Sequence, residues 1–255
     1  MRYSERMNKD TSWGKVAGWY DEYLQDEDTY QAQVILPNLV RVLGVKKGER
    51  VLDLACGQGY FARELYKLGA LTVGADISRE LIAKAKTMSS NIPLHTTAAH
   101  KLDFAKPAEF DAALCVLALQ NMSDIGAVFK EVKRVLKPGA RFVFVINHPT
   151  FRVLKRSSWG WDEETKTQYR RIDGYLSAAK IAVDMHPGKE KKANTISYHR
   201  SLQDFFKALS GAELSVTRLE EWISHKSSQK GPRQSAEDTA RKEIPLFMCI
   251  EARVL

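Results

Sequence analysis

From residue 50 to residue 146 the chain alternates short apolar runs with stretches whose apolar residues recur every three or four positions. The runs at 50–54, 71–75, 92–96, 111–117 and 140–146 predict strands, and the stretches 59–68, 79–88 and 124–136 predict amphipathic helices. "AALCVLAL" and "RFVFVI" show no polar alternation, so their strands are expected to be covered on both faces, as in a parallel sheet. The stripe Val128, Phe129, Val132, Val135 and Leu136 gives helix 124–136 its buried face, and Pro138 and Gly139 stop it. This is a doubly wound α/β layout.

Two flanking regions break the rhythm. Residues 13–43 read as two helices, "WGKVAGWYDEYL" and "YQAQVILPNLVRVLGV", with Pro37 expected to kink or split the second. After residue 147 the chain becomes polar, aromatic-rich and strand-like in pieces, with a hairpin turn expected at "HPGKEKKAN". A helix over 202–210 follows, with Ser201 and Asp204 placed as a capping pair. "GAELSVTRLEEW" and "IPLFMCIEARVL" read as strands, joined by a long polar connection with a short helix in its second half. The expected organisation is an N-terminal helical cap (1–44), a core (45–148 and 201–255) and an inserted strand-rich lid (149–200).

Composition narrows the function classes. A chain of 255 residues, 44% hydrophobic, can bury one good core, so one elaborated domain is the default. No apolar run approaches the roughly 18 residues of a membrane span, and "MRYSERMNKDTSW" lacks the apolar stretch of a signal peptide, so a cytoplasmic protein is expected. Cys56, Cys115 and Cys249 are far apart, each in or beside an apolar run; buried thiols are expected, with no disulfide and no metal site. The net charge of +8 suggests an anionic partner, whether nucleic acid, lipid or an acidic small molecule. Much of the excess lies after residue 150, in "RVLKR", "RR" and "KEKK", runs that read equally well as solvated faces.

The stretch "VLDLACGQGYF", residues 51–61, changes the picture most. Asp53 ends a strand, and Gly57 and Gly59 then leave bare backbone and a helix start at the sheet's carboxyl edge, where ligands of open α/β sheets bind. Asp76, 23 residues on, ends the next strand, where an acid can accept hydrogen bonds from a ribose diol. Neither G-x-G-x-x-G nor G-x-x-x-x-G-K-[ST] is present. With its acid four residues ahead of the first glycine, the turn suits a cationic amino-acid moiety better than a pyrophosphate. The plainer alternative is that both acids only cap helices or turns.

"VLDLACGQGYFARELYKLGALTVGADIS" resembles the first two motifs of class I S-adenosylmethionine-dependent methyltransferases, and "FDAALCVLALQNMSD" and "LKPGARFVFVINHP" resemble that family's fourth-strand and fifth-strand segments. The resemblance covers residues 45–148, with four motifs in order. It implies a Rossmann-like sheet of seven strands, mostly parallel with an antiparallel last strand, and S-adenosyl-L-methionine as cofactor. Asp53, Ala55 and Gly57 would then line the methionine and sulfonium part, and Gly59 would let the chain pass close. Asp76 would hold the ribose hydroxyls, Ile77 would flank the adenine and Leu117 would lie near the methionine end. Where many relatives carry an acid for the adenine amino group, this chain has Ala98 and Ala99.

Methyl transfer from an activated sulfonium asks mainly for alignment and exclusion of water. A base helps only where the nucleophile must lose a proton. His148, directly after the fifth strand, is the candidate catalytic base; orienting Pro149 or bonding a backbone carbonyl is the equal alternative. His199 reads as structural beside a helix cap, though it is also a candidate at the substrate. Tyr20 and Tyr23 belong to a helix that closes over the cofactor in similar methyltransferases. Trp159, Trp161, Tyr169 and Tyr175, interleaved with Arg152, Arg156, Arg170 and Arg171, suggest an aromatic and basic lid, with Trp159 and Arg170 against the substrate. The favoured acceptor is a small molecule, anionic or aromatic, methylated at oxygen or nitrogen. The elaboration after the fifth strand is similar to methyltransferases of ubiquinone and menaquinone biosynthesis. An RNA methyltransferase using the basic insertion and a non-catalytic cofactor-binding protein are the alternatives.

Overall fold

The computed structural model describes residues 28–184 and 194–255. Tyr20, Tyr23, the first expected helix and the tip of the expected hairpin lie outside the described residues. Strands β1 (Arg50–Leu54), β2 (Leu71–Asp76), β3 (Leu94–Thr96), β4 (Phe110–Val116) and β5 (Leu136–Asn147) form the parallel part of the sheet. Helices α2 (Tyr60–Lys67), α3 (Arg79–Met88) and α4 (Ile125–Val135) fall between them, after α1 (Leu36–Leu43). With β10 (Leu214–Trp222) and β11 (Phe247–Val254) the sheet has seven strands in the order β10-β11-β5-β4-β1-β2-β3, and β11 is antiparallel to both neighbours.

Burial follows the continuous apolar runs. Phe142 and Phe144 of β5 pack with Phe129 and Phe205 on one face, while Val143 and Val145 face Ile35, Leu39 and Leu65 on the other. A strand covered on both faces cannot alternate polar and apolar residues, which is why "RFVFVI" does not. The three thiols are buried and unbridged, and burial pushes all three up, Cys249 to about 12. Among the described residues no helix is long and apolar enough to cross a membrane.

Two local details differ from expectation, both at prolines. Ahead of Pro37 the chain forms a π-helical turn, Gln31–Ile35, and Pro37 sits in the first turn of α1, where its missing N–H costs nothing. Helix α4 ends at Val135, and Pro138 and Gly139 belong to an exposed lead into β5, where the pairing with β4 shifts register.

The region after β5 contains two hairpins. β6 (Ser157–Asp162) pairs with β7 (Thr167–Ile172), and β8 (Ala179–Asp184) with β9 (Asn194–His199). The first contacts helix α6 (Gln234–Glu243), and β9 crosses the turn Leu119–Asn121 that follows β4. Helix α5 (Leu202–Ser210) starts with the expected reciprocal cap, Ser201 with Asp204.

Candidate functional site

The cleft lies where the carboxyl ends of β4, β1, β2 and β3 stand side by side. In the turn after β1, Ala55, Gly57 and Gly59 all take left-handed backbone, with φ of 58°, 56° and 77°. The N–H groups of this turn are bonded within the protein, Cys56 N to Ala75 O, Gly57 N to Asp76 Oδ2 and Gly59 N to Cys56 O. At Gly57 only the left-handed backbone asks for glycine, since space does not. A Cβ there would meet no atom within 4 Å, so the direction it would take opens into free space. Leu117, at the end of β4, is also left-handed at φ 52°, held by its N–H on Val145 O at 2.7 Å. Ala55 and Leu117 are non-glycine residues in a sparsely populated conformation, and both line the cleft.

Two carboxylates tie the turns together. Asp53 Oδ2 accepts the Ala62 N–H at 3.0 Å and so caps α2. Asp76 accepts from Gly57 N at 2.9 Å through Oδ2 and from Ser78 N at 2.8 Å through Oδ1. Ser78 in turn caps α3 through the Leu81 N–H. Both acids are buried and both line the cleft. Burial raises both, Asp53 to about 8, with Asp76 adding like-charge repulsion.

Two adjoining cavities of about 280 and 300 Å³ share Ala55, Asp76, Ile77, Asn121 and Met122. The first extends over Asp53, Gly57 and Gln58 to Tyr60, Phe61, Leu117 and Ile196. The second extends over Thr97, Ala98, Ala99 and His100 to Asp124. Neither lining contains a lysine or arginine among the described residues. Gln58 is buried in this wall, and its Oε1 has no hydrogen-bond partner among the described residues.

Of the residues singled out in the sequence, Asp53, Ala55, Gly57, Asp76, Ile77 and Leu117 come together at this cleft; Gly59 starts α2 just behind it. The others lie elsewhere. His148 is buried beside β10: Nε2 lies 2.7 Å from Glu221 Oε1, and Nδ1 accepts from the Thr150 N–H at 3.2 Å. Nε2 therefore carries the proton that Glu221 accepts, burial lowers the pKa of the ring, and neither nitrogen is free to take a proton from a ligand. His199 donates through Nε2 to Tyr175 O at 2.7 Å, and Tyr175 Oη accepts from the first N–H of α5. Arg170 lies 5.0 Å over the Trp159 ring and donates to Ser157 Oγ of its own hairpin and to Phe151 O of the turn before it. None of these four lines either cavity. Residues that do, and that the sequence did not mark, are Gln58, Tyr60, Phe61, Asn121, Met122, Thr195 and Ile196. Gln58 had a usable signal, a polar residue between two glycines; Thr195 and Ile196 had none.

Comparison with known proteins agrees with this geometry. Residues 52–144 match the model of a methyltransferase domain. Over 99 residues the chain is 41% identical to a demethylmenaquinone methyltransferase of Corynebacterium kroppenstedtii, covering 39% of this chain and 42% of that protein. Over 125 residues it is 34% identical to a 2-phytyl-1,4-naphtoquinone methyltransferase of Synechococcus elongatus, covering 46% and 54%. These matches span about half the length of the curated relatives. Among solved structures, an S-adenosylmethionine-dependent methyltransferase from Mesorhizobium loti superposes with a TM-score of 0.65 at 28% identity, covering 85% of this chain and 96% of that one.

Proposed function

We propose, from the class I S-adenosylmethionine-dependent methyltransferase domain that this chain carries, that the protein methylates an oxygen or nitrogen of a small aromatic or anionic acceptor. One observation carries the reading: two buried carboxylates, Asp53 and Asp76, face a cleft whose lining has no lysine or arginine to balance them. A cationic ligand moiety supplies that balance.

The residues present fit the cofactor. After its two backbone bonds each Asp76 oxygen keeps a lone pair, enough for a ribose diol. Asp53 and the unpartnered Gln58 Oε1 suit an ammonium group, and the open space at Gly57 admits the backbone approach. Ile77, 56% exposed at the junction of the two cavities, offers an apolar face to the adenine. The adenine edge would meet the backbone of Ala98 and Ala99 and the cap residues Ser123 and Asp124 rather than an acid at 98–99.

When bound, S-adenosylmethionine would supply an activated methyl group on a sulfonium. Tyr60, Phe61, Leu117 and Ile196 would exclude water there and orient an aromatic ring, in keeping with the quinone compounds in the names of the relatives. His148, with both nitrogens engaged, is given no part in proton transfer. Calorimetry of the full chain with S-adenosylhomocysteine tests the reading. Micromolar binding lost in Asp76→Ala supports it, and no binding by the wild type contradicts it.

A further inference from the structure

A second, smaller cavity of about 40 Å³ lies at the carboxyl end of β5, across the turn Leu119–Asn121 from the cleft. Asn121 lines the cleft and Gln120 lines this cavity; along β9, Thr195 and Ile196 face the cleft, and Ser197 to Arg200 face the cavity. The two spaces are thus served by consecutive residues of the same two segments. By the usual allowance of about 10–15 Å³ for one water, this cavity holds a group of a few heavy atoms, the size of a carboxylate.

Its walls are cationic where the cleft's are acidic. Arg200 lies 5.3 Å over the Tyr198 ring and donates through Nη2 to Met122 O at 2.6 Å and Ser123 O at 2.8 Å. Its Nη1 is buried and has no partner among the described residues. Asp124 and Asp204 act on Arg200 from a distance, but each already caps a helix, α4 and α5. Arg152 reaches solvent, yet protein atoms crowd it enough to lower its pKa, and no carboxylate is among the groups acting on it. The same guanidinium also repels Arg170. Gln120 donates through Nε2 to Leu117 O at 2.7 Å, which leaves its Oε1 buried without a donor. A buried guanidinium nitrogen of Arg200 with no partner among the described residues, the Arg152 guanidinium on the same wall and an amide oxygen short of a donor define a complementary ligand: a carboxylate with a hydroxyl or amino hydrogen next to it.

We propose that Arg152, Arg200 and Gln120 form an anchoring subsite for a carboxylate on the methyl acceptor, whose ring or chain then passes over the Gln120–Asn121 turn into the apolar end of the cleft. The subsite rests on the methyltransferase reading for its link to catalysis, but its anion preference does not. It divides the labour of recognition: the cleft receives the cationic donor, and the cavity beyond the turn holds the anionic end of the acceptor.

The test uses the full chain, titrated by calorimetry with 2-hydroxybenzoate and with its neutral counterpart 2-hydroxybenzamide, with and without saturating S-adenosylhomocysteine. The expected result is that the carboxylate binds about tenfold more tightly than the amide, the worth of one charge-assisted pair. In Arg152→Gln the preference should fall to within about twofold, with amide affinity and melting temperature unchanged, since Arg152 makes no side-chain hydrogen bond that the fold needs. Gln120→Leu should weaken both probes alike. Equal affinities in the wild type, including no binding of either probe, overturn the proposal, as does a preference that survives Arg152→Gln. If S-adenosylhomocysteine fails to bind while the preference holds, the methyl-donor reading falls and the anion site stands; the opposite pattern removes the anion site alone.

Discussion

The cleft over β1 and β2 and the region after β5 are built on opposite plans. In the cleft the decisive contacts are short in sequence: Asp53 to Ala62, Asp76 to Ser78 and Asp76 to Gly57, at separations of 9, 2 and 19 residues. After β5 they are long: Arg200 to Met122, His148 to Glu221 and Arg233 to Glu163, separated by 78, 73 and 70 residues. A donor site written into some 25 consecutive residues can be carried intact between proteins. An acceptor site assembled from distant segments changes whenever any of them does.

The largest effect that would sharpen this contrast is expected at Asp76. Asp76→Ala removes the acceptor of two backbone N–H groups and one of the two buried carboxyl groups of the cleft, and should lower S-adenosylhomocysteine affinity about a hundredfold by calorimetry. Gly57→Val comes next. The new side chain would enter open space but would need φ near 56°, so a loss of about 1–2 kcal/mol in stability should accompany about tenfold weaker binding. His148→Ala should act in the opposite way. It removes a buried ring and the acceptor of two half-buried N–H groups in the turn after β5 and should cost about 1–3 kcal/mol in a denaturant melt, with cofactor affinity held within about twofold. Loss of cofactor binding there would break the separation of the two regions. The smallest effect is expected for Arg170→Ala, which loses its place over Trp159 on an outlying hairpin and should cost about 1 kcal/mol, with no change in cofactor binding.

The same contrast explains what could be read in advance. The strands, the helices and the approach of Asp53, Gly57 and Asp76 follow from apolar periodicity and a glycine turn, which are local properties. Helix α3 over Arg79–Met88 and helix α5 over Leu202–Ser210 match the expected ranges because each has a cap residue and an uninterrupted apolar face. The aromatic and arginine residues after 147 suggested one lid. In the structure Arg170 and Arg233 lie over Trp159 and Trp161 of the β6–β7 hairpin, and Thr195 and Ile196, which no pattern marked, line the cleft. Which strand of two hairpins crosses the Leu119–Asn121 turn depends on tertiary packing, and no periodicity reports it. His148 was placed correctly at the strand end, yet Glu221 on β10 and two N–H groups of its own turn take up its nitrogens.

Asp53 makes the central claim measurable through pH. Its carboxyl is raised in the folded protein to about 8, so the folded state holds a proton that the unfolded state has released above its ordinary value. The free protein should therefore lose stability as pH rises toward 8, and a ligand that needs the ionised form should bind more tightly over the same range. The direct measurement is calorimetric titration of the full chain with S-adenosylmethionine at pH 6 and pH 7.5, on the wild type and on Asp53→Asn. Two buried carboxylates seating a cationic donor predict affinity rising about tenfold between the two pH values in the wild type and a flat, weaker response in Asp53→Asn. Binding that is absent, or that is equally strong and equally flat in both proteins, would contradict it.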